Sequence, residues 1–225
     1  MTNHSQNQST VVALVDISDF DIPLIEKYLP LVPLAIQKQV LAYPLIHEQW
    51  RSLIAKLLLK KLLIEHGYSS ALLENYQVDE FGKPTIHPEI SFSISHAHDY
   101  IVCVLSSEKH IGIDIEKMRP ICIDDYSISL SDDELKQLEE SANATTDFFH
   151  LWTKKEAISK ANGKGLVILL PDMIINKNNA TCNQQTWHLQ ELSINADYVC
   201  HVASENKLTL NTKKILVEEL LMNSA

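Results

Sequence analysis

Short stretches in which hydrophobic residues alternate with polar ones, or run together between polar turns, predict the β-strands of this chain. "VVALVDI" is a first strand, and "SFSISHAHDYIVCVLSS" reads as two strands joined by a short polar turn. "IGIDIE" forms a further strand, and two more follow near the C-terminus. The predicted strands lie at residues 11–17, within 91–107 (two strands), and at residues 111–116, 186–194 and 197–204.

Longer amphipathic or apolar segments predict helices between these strands. One helical stretch lies on either side of Pro44, and its second part runs from His47 to His66 before Gly67. Ser131 and Glu134 form a capping box that begins another helix. The segment 147–162 predicts a last helix, which Gly163 and Gly165 end.

One weak repeat suggests that the chain contains a duplicated unit. "DYIVCVLSS" at 99–107 aligns without gaps with "DYVCHVASE" at 197–205, and a long helix precedes each. A repeat on this scale suits two similar units. We therefore expect one compact body with an interface cleft, divided into a disordered start (1–10), an N-terminal half (11–111) and a C-terminal half (112–225).

Composition and charge narrow the possible partners and location. The chain has 225 residues and a formal net charge of -10, which argues against nucleic acid and anionic membranes as partners. Its four cysteines form no C-x-x-C pair, and neither a signal peptide nor a membrane-spanning run is visible. These features predict a soluble cytoplasmic protein.

Strand 111–116 raises the first question of chemistry. Its three isoleucines share one face, whereas Gly112, Asp114 and Glu116 share the other. Carboxylates are rarely buried unless they are paired or bind a metal. Two carboxylates on one strand face therefore indicate that a partner, a cation or a metal ion, lies close to them.

The helix 147–162 offers that partner. Trp152, Glu156 and Lys160 are spaced four apart and lie on one helix face. Two strand carboxylates and Glu156 would give the oxygen-rich, incomplete shell that Mg²⁺ prefers, with a phosphate substrate supplying further ligands. Nearby lysines would add positive charge for the same phosphates.

The spacing alone leaves simpler alternatives open. Asp114 and Glu116 could be charges on an exposed strand edge, and Glu156 with Lys160 could be a surface ion pair. Trp152 could belong to the core. His96 could lie in a turn, and Lys83 in a solvated loop.

The order of four motifs resembles the Sfp-type 4'-phosphopantetheinyl transferases. These motifs are "FGKP", "SISH", "GIDIE" and "FFHLWTKKEAISKANGKGL". The family hallmark is a G-[IV]-D-x-E strand followed by W-[ST]-x-K-E-[AS]-x-x-K. Every fixed residue of it is present: Gly112, Asp114, Glu116, Trp152, Lys155, Glu156 and Lys160. The resemblance is specific from Arg51 to Leu166, about half of the chain.

The resemblance implies an α+β fold in which two similar halves pack as a pseudo-dimer, with the active site in the cleft between them. It also implies that the chain transfers the 4'-phosphopantetheine group of coenzyme A to a serine of an apo acyl or peptidyl carrier protein. Adenosine 3',5'-bisphosphate would be released. The reaction would use Mg²⁺ or Mn²⁺, and a chain of this length resembles the monomeric form of the family.

The resemblance also assigns roles to individual residues. Asp114, Glu116 and Glu156 would hold the metal. The implied catalytic residues are Glu156, as general base, with Lys160 and His96. The implied coenzyme A ligands are Arg51, Ser52, Lys83, Ser95, His96, Lys155 and Lys160.

The sequence departs from the family pattern at two places, and two other functions are alternatives to the transferase. Only Lys38 supplies a cation just before Arg51, and Ala55 replaces a glycine common in the family, which leaves the grip on the 3'-phosphate open. The alternatives are a Mg²⁺-dependent phosphohydrolase acting on a nucleotide pyrophosphate and an inactive carrier-binding module. The sequence does not identify the carrier or its pathway.

Overall fold

The computed structural model describes residues 10–20, 24–164 and 170–222 as an α+β fold. Its strands are β1 (Thr10–Asp16), β2 (Gln77–Val78), β3 (Pro84–Thr85), β4 (Ser91–Ala97), β5 (Tyr100–Ser106), β6 (Ile111–Lys117), β7 (Ile174–Asn176), β8 (Asn179–Cys182), β9 (Gln185–Glu191), β10 (Tyr198–Ser204) and β11 (Leu210–Ile215). Its α-helices are α1 (Leu34–Leu41), α2 (Ile46–Glu65), α3 (Asp132–Glu140), α4 (Ala144–Asn162) and α5 (Val217–Met222).

The first large sheet has the strand order β11-β1-β5-β4. β1 is antiparallel to β5 and parallel to β11, so the end of the chain returns to the first strand. Helix α2 buries a wide apolar face, including Trp50 and Leu58, in one core with Ile101 and Cys103 of β5. A helix that is apolar around so much of its surface needs this burial for stability.

The second large sheet has the strand order β6-β10-β9-β8-β7, and its pairs are antiparallel. Helix α4 packs against β6 and β10. Ala157, Ile158 and Ala161 of this helix share a core with Trp187 and Leu189 of β9. The helix that carries Glu156 and Lys160 is therefore fixed against the strands that carry the other candidate residues.

The two sheets repeat one arrangement. β1, β5 and β4 are neighbours in the first sheet, and β6, β10 and β9 are neighbours in the second. The Asp99 carbonyl before β5 accepts from Ile17 N at 2.8 Å, and the Asp197 carbonyl before β10 accepts from Met118 N at 2.8 Å. These equivalent bonds lie at the start of the two similar sequences, "DYIVCVLSS" and "DYVCHVASE".

The sheets meet through the isoleucine face of β6. Ile111, Ile113 and Ile115 are buried with Val102 and Val104 of β5 in a shared cluster. The ring centroids of Tyr100 and Tyr198 lie 4.7 Å apart in an edge-on contact across the same boundary. The opposite face of β6 is thereby turned toward α4.

Most predicted elements are confirmed, with ends shifted by a few residues. The capping box of Ser131 and Glu134 is present, and Gly163 ends α4 with φ +74°. The predicted role of Gly165 lies outside the described residues. So does the predicted disorder over 1–10, except that Thr10 begins β1.

The short strands β2, β3, β7 and β8, together with β11 and α5, were not predicted. Within the described ranges, no helix combines the length and the hydropathy needed to span a bilayer.

Candidate active site

Gly112 lets strand β6 approach helix α4 closely. A Cβ atom at this position would lie 2.1 Å from the Ala157 carbonyl oxygen and 2.5 Å from Ala161 N. Both neighbours are backbone atoms, so any larger residue would push the helix away from the strand. The predicted two-faced strand is confirmed, because the isoleucines fill the core between the sheets and Gly112 faces α4.

Asp114 lies at the junction of β4, β6 and α4. Its side chain is buried, with the residue 4% exposed. Oδ1 accepts a hydrogen bond from Lys160 Nζ at 2.6 Å and another from Ser95 Oγ at 2.8 Å. Lys160 Nζ also donates to Ser95 Oγ at 3.0 Å. Three predicted site residues from three elements therefore form one hydrogen-bonded group.

The second carboxylate oxygen of Asp114, Oδ2, lacks the hydrogen bonds that Oδ1 accepts from Lys160 and Ser95. Oδ2 is buried and has no hydrogen-bond partner within the described part of the chain. An unpartnered buried carboxylate oxygen is costly, and such groups normally find a donor or a cation.

Glu116 and Glu156 complete an acidic cluster with Asp114. Burial raises the pKa of Glu116 to about 7, and the Asp114 charge reinforces the shift, while Arg119 and Lys160 oppose it. Burial and the Asp114 charge also raise the pKa of Glu156, against the effect of Lys160. Burial is the larger cause for both glutamates, and the Asp114 charge adds to it because like charges disfavour ionisation.

The three carboxylates interact electrostatically and offer the oxygen ligands that a hard divalent cation prefers. The donors are carboxylate oxygens from a strand and a helix, and one of them, Asp114 Oδ2, has no other partner among the described residues. Mg²⁺ takes one or two carboxylates and leaves positions for water and substrate phosphate. A dication would also offset the Asp114 charge, which adds to the effect of burial on the pKa values of Glu116 and Glu156.

A cavity of about 330 Å³ lies beside the acidic cluster. Glu156 and Lys160 line one wall, and Lys83, Ser93 and Gly163 line others. Two further cavities adjoin it. One of about 490 Å³ shares Gly82 and Pro84 with it, and one of about 880 Å³ shares Lys83, Pro84, Phe92 and Gly163.

Arg51 and Ser52 are neighbours in the first half of α2. The Arg51 side chain donates from Nε to the His98 carbonyl at 2.9 Å and forms an ion pair of 2.5 Å with Glu48. It is thus held against the turn between β4 and β5. Ser52 lines the 490 Å³ cavity.

His96 projects from β4 one residue after Ser95. The residue is exposed, but neighbouring groups desolvate the ring and lower its pKa. The Glu48 charge opposes this shift, and the charges of Arg51, Lys160 and Lys56 reinforce it. The histidine therefore interacts electrostatically both with the Arg51 region and with the Lys160 end of the cleft. A neutral imidazole in this position offers one N–H donor and one acceptor.

Lys83 lies in the cavity wall, but its ammonium is already bonded. Nζ donates to the Ala161 carbonyl at 3.0 Å, near the end of α4. Burial lowers the pKa of Lys83, and the Asp79 charge opposes this shift. Its side chain lies against Gly163, where a Cβ would be 2.8 Å from Lys83 Cδ.

Lys155, a predicted coenzyme A ligand, is buried and does not line the three cavities described above. Its side chain is 0% exposed and forms an ion pair of 2.5 Å with Glu134. Nζ also donates to the carbonyls of Ser129 and Leu170 at 3.1 Å and 2.8 Å. All three donor positions of the ammonium are used, so this lysine joins α4 to the segment that begins α3.

Lys56 is a candidate that sequence reasoning missed. It lies one turn after Ser52 on α2 and lines the same cavity, with its ammonium 5.4 Å from the centre of the Tyr76 ring. Burial lowers its pKa to about 8. The sequence showed Lys56 only as a charge in an apolar helix, and its spacing from Ser52 was the available signal.

Comparison with known proteins identifies the family. The profile of the 4'-phosphopantetheinyl transferase superfamily matches residues 110–210. The 4'-phosphopantetheinyl transferase gsp of Aneurinibacillus migulanus is 30% identical over 196 residues, which cover 82% of this chain and 81% of the relative. The chain belongs to the 4'-phosphopantetheinyl transferase superfamily.

Two relatives from Bacillus subtilis align over a shorter region. A 4'-phosphopantetheinyl transferase is 40% identical over 125 residues, and the transferase Sfp of strain 168 is 32% identical over 124 residues. Each alignment covers 53% of this chain and 55% of the relative. The predicted resemblance to Sfp-type phosphopantetheinyl transferases is confirmed, and the superfamily match includes Asp114, Glu116, Glu156 and Lys160.

Proposed function

We propose that this phosphopantetheinyl transferase moves the 4'-phosphopantetheine group of coenzyme A onto a serine hydroxyl of an apo acyl or peptidyl carrier protein. The observation that carries the proposal is Asp114. Its Oδ1 is bonded to Ser95 and Lys160, its Oδ2 has no partner among the described residues, and a cavity adjoins the group. Family membership supports the reaction class.

Asp114, Glu116 and Glu156 would hold Mg²⁺, or Mn²⁺ in its place, against the pyrophosphate of coenzyme A. A metal there would neutralise phosphate charge and stabilise the charge that develops on the departing adenosine 3',5'-bisphosphate. Asp114 Oδ2, unpartnered within the described residues, supports this assignment, as does the Asp114 charge that adds to the raised pKa values of Glu116 and Glu156.

Glu156 is the proposed general base. It lines the cavity, so a serine hydroxyl entering beside the pyrophosphate would meet its carboxylate. A carboxylate within hydrogen-bond reach of the hydroxyl can act as a general base. The proton of the serine would pass to this carboxylate as the new phosphate ester forms.

Lys160 would position the transferring phosphate. Its ammonium is fixed by Asp114 and Ser95, so it needs little reorganisation to present positive charge to the cavity. Phosphoryl transfer depends chiefly on positioning and on electrostatic stabilisation of this kind.

The nucleotide part of coenzyme A would extend along the adjoining cavities. We assign its contacts to Arg51, Ser52, Lys83 and His96, and we add Lys56 because it lines the Ser52 cavity. Lys155 is not retained, since Glu134 and two carbonyls occupy its ammonium.

We further propose that the protein acts as a cytoplasmic monomer. The candidate residues come from both sheets and from α2 and α4 of a single chain. The four cysteines are free thiols, as suits a reducing compartment.

Intact-mass analysis of a panel of apo carrier proteins tests the proposed reaction. Each carrier is incubated with the protein, coenzyme A and Mg²⁺, and its target-serine-to-alanine variant serves as the control. We expect at least one carrier to gain one phosphopantetheine, with no gain in the control or after chelation of the metal. Breakdown of coenzyme A at an equal rate without carrier would instead favour a hydrolase.

A further inference from the structure

A second group of metal-ligating side chains lies outside the proposed active site. His150 is on α4, Glu191 ends β9, and His201 is in the middle of β10. His150 Nδ1 lies 3.8 Å from Glu191 Oε2, and His201 Nε2 lies 4.0 Å from the same oxygen. One ligand atom from each of the three side chains lies within 4.8 Å of the other two.

These separations are too long for hydrogen bonds and close to those of a shared metal shell. Nitrogen and oxygen ligands lie about 2.0–2.2 Å from Zn²⁺, which puts tetrahedral neighbours roughly 3.3–3.6 Å apart. The His150 and Glu191 side chains are 31% and 56% exposed and can adjust toward that spacing around the buried His201.

The buried environment of His201 presents a free nitrogen to the group. The Thr153 hydroxyl donates to the Phe149 carbonyl at 2.7 Å, and its oxygen lies 2.8 Å from His201 Nδ1. Because the hydroxyl proton is used by Phe149, Nδ1 must be the donor to Thr153. The other ring nitrogen, Nε2, then carries a lone pair and faces Glu191.

This arrangement is that of a metal-binding histidine. Ligating histidines usually donate their second N–H to a protein oxygen, which fixes the tautomer and the orientation of the ring. His201 is 1% exposed, and such burial disfavours its charged form. A lone pair facing a carboxylate oxygen is repulsive unless a cation lies between them.

We propose that His150, Glu191 and His201 form a zinc site that joins α4 to β9 and β10. Two imidazoles and one carboxylate suit Zn²⁺ better than Mg²⁺, which prefers oxygen ligands alone. The exposed Glu191 side chain leaves room for water as a fourth ligand. Zinc here would tie α4, the helix that carries Glu156 and Lys160, to the centre of the second sheet.

Lys154 is a cation that interacts electrostatically with Glu191 of this group. Burial lowers the pKa of Lys154, and the nearby Glu191 charge opposes that shift. Without metal, its ammonium offsets part of the glutamate charge. The positive charge of Lys154 repels a zinc ion at this position. Removal of that charge should therefore increase the affinity for zinc.

Titration calorimetry with zinc chloride tests the site directly. The full-length chain is used after removal of any histidine tag, in excess magnesium chloride so that the carboxylate cluster is occupied. We expect one zinc per chain, with the affinity lowered about 10-fold or more in His150→Ala and in Glu191→Gln. Lys154→Met should increase the affinity.

His188→Ala provides the matched control, because His188 is on β9 but on the opposite strand face from Glu191. Its zinc affinity should equal that of the wild type. All variants are compared at equal folded fraction, measured by circular dichroism. The proposal is overturned if the wild type binds no zinc, or if His150→Ala and Glu191→Gln bind zinc as tightly as the wild type. Neither result depends on phosphopantetheine transfer.

Discussion

Lys160 on α4 holds Asp114 on β6 through an ion pair of 2.6 Å at Oδ1, while Oδ2 of the same carboxylate has no hydrogen-bond partner in the described ranges. The ammonium thus binds one oxygen of the carboxylate and leaves the other, buried oxygen without a partner in that part of the chain. In the proposed mechanism, this second oxygen binds the metal, and Lys160 contacts the phosphate.

Lys160→Met should separate these two roles. We expect phosphopantetheine transfer to fall about 100-fold or more, because one fixed positive charge at the transferring phosphate is lost. Affinity for Mg²⁺ should stay the same or increase, since a competing cation has been removed from the carboxylates. Intact-mass time courses and metal titration measure the two effects.

Lys164→Met, in the exposed segment after α4, is the control for loss of charge near the site. It should retain transfer within about threefold, as expected for an exposed charge that contributes little. A Lys160→Met enzyme with undiminished transfer would refute the role of Lys160.

Gly112→Ala should disturb the site through the backbone. Its Cβ would meet the Ala157 carbonyl oxygen at 2.1 Å, so α4 must shift and carry Glu156 and Lys160 with it. We expect a loss of about 1–3 kcal/mol or more in the free energy of unfolding, together with lost transfer per folded molecule. Denaturant unfolding and carrier mass measure both.

Gly67→Ala is the control for Gly112→Ala, because it makes the same substitution away from the site. Gly67 has φ +80°, and a Cβ added there would have no neighbour within 4 Å, so alanine is strained without touching the site. It should cost about 1–2 kcal/mol and leave the transfer rate of the folded enzyme unchanged. Equal activity in both alanine variants would contradict the close-packing argument.

Lys155→Met should lower stability without weakening coenzyme A binding. The substitution leaves Glu134 without its buried partner, and breaking such a pair costs about 3–5 kcal/mol. The KM for coenzyme A should stay at the wild-type value in the folded enzyme. Double-mutant cycles with Glu134→Gln should show strong coupling; an increased KM at unchanged stability would restore Lys155 as a ligand.

Binding of coenzyme A should weaken above pH 8. Burial lowers the pKa of Lys56 to about 8 from 10.5, so its ammonium is lost in that range and no longer attracts phosphate. The KM of the wild type should therefore increase with pH, whereas Lys56→Met should have a high KM that changes less. Steady-state kinetics from about pH 7 to about pH 9.5, a range that brackets this pKa, measure the effect.

The same pKa shift has a defined effect on stability. Between pH 8 and 10.5 the unfolded chain binds the Lys56 proton more than the folded chain does, so this contribution to stability increases with pH. Lys61→Met, on the same helix near Glu65 and Glu219, is the control for both measurements. A wild-type pH profile identical to that of Lys56→Met would exclude a role for Lys56.

Period-two and helical spacing predicted much of the site. The alternation in β6 separated the isoleucine face from Gly112 and Asp114, and the spacing of Glu156 and Lys160 placed both at the cavity. Lys155 adjoins Glu156 in the motif but is buried against Glu134, because adjacent helical residues point about 100° apart. Proximity in a motif therefore does not give proximity in space.

Other features depend on contacts between distant parts of the chain. β11, "LNTKKI", has few apolar residues and forms by parallel pairing with β1. His201 lies in an apolar strand. Only the packing of α4 and β9 against that strand brings His150 and Glu191 close to it. Such long-range pairs leave no periodic pattern in the sequence.

The central hypothesis is that a metal-binding carboxylate cluster beside the cavity performs the reaction. The rate of phosphopantetheine transfer by Asp114→Ala tests it most directly. The initial rate is obtained from the intact mass of a carrier that the wild type modifies, and circular dichroism verifies the fold. We expect a folded variant whose rate is lower by a factor of about 1000 or more, in line with removal of a central electrostatic group. A folded Asp114→Ala variant with the full wild-type rate would contradict the proposed metal site.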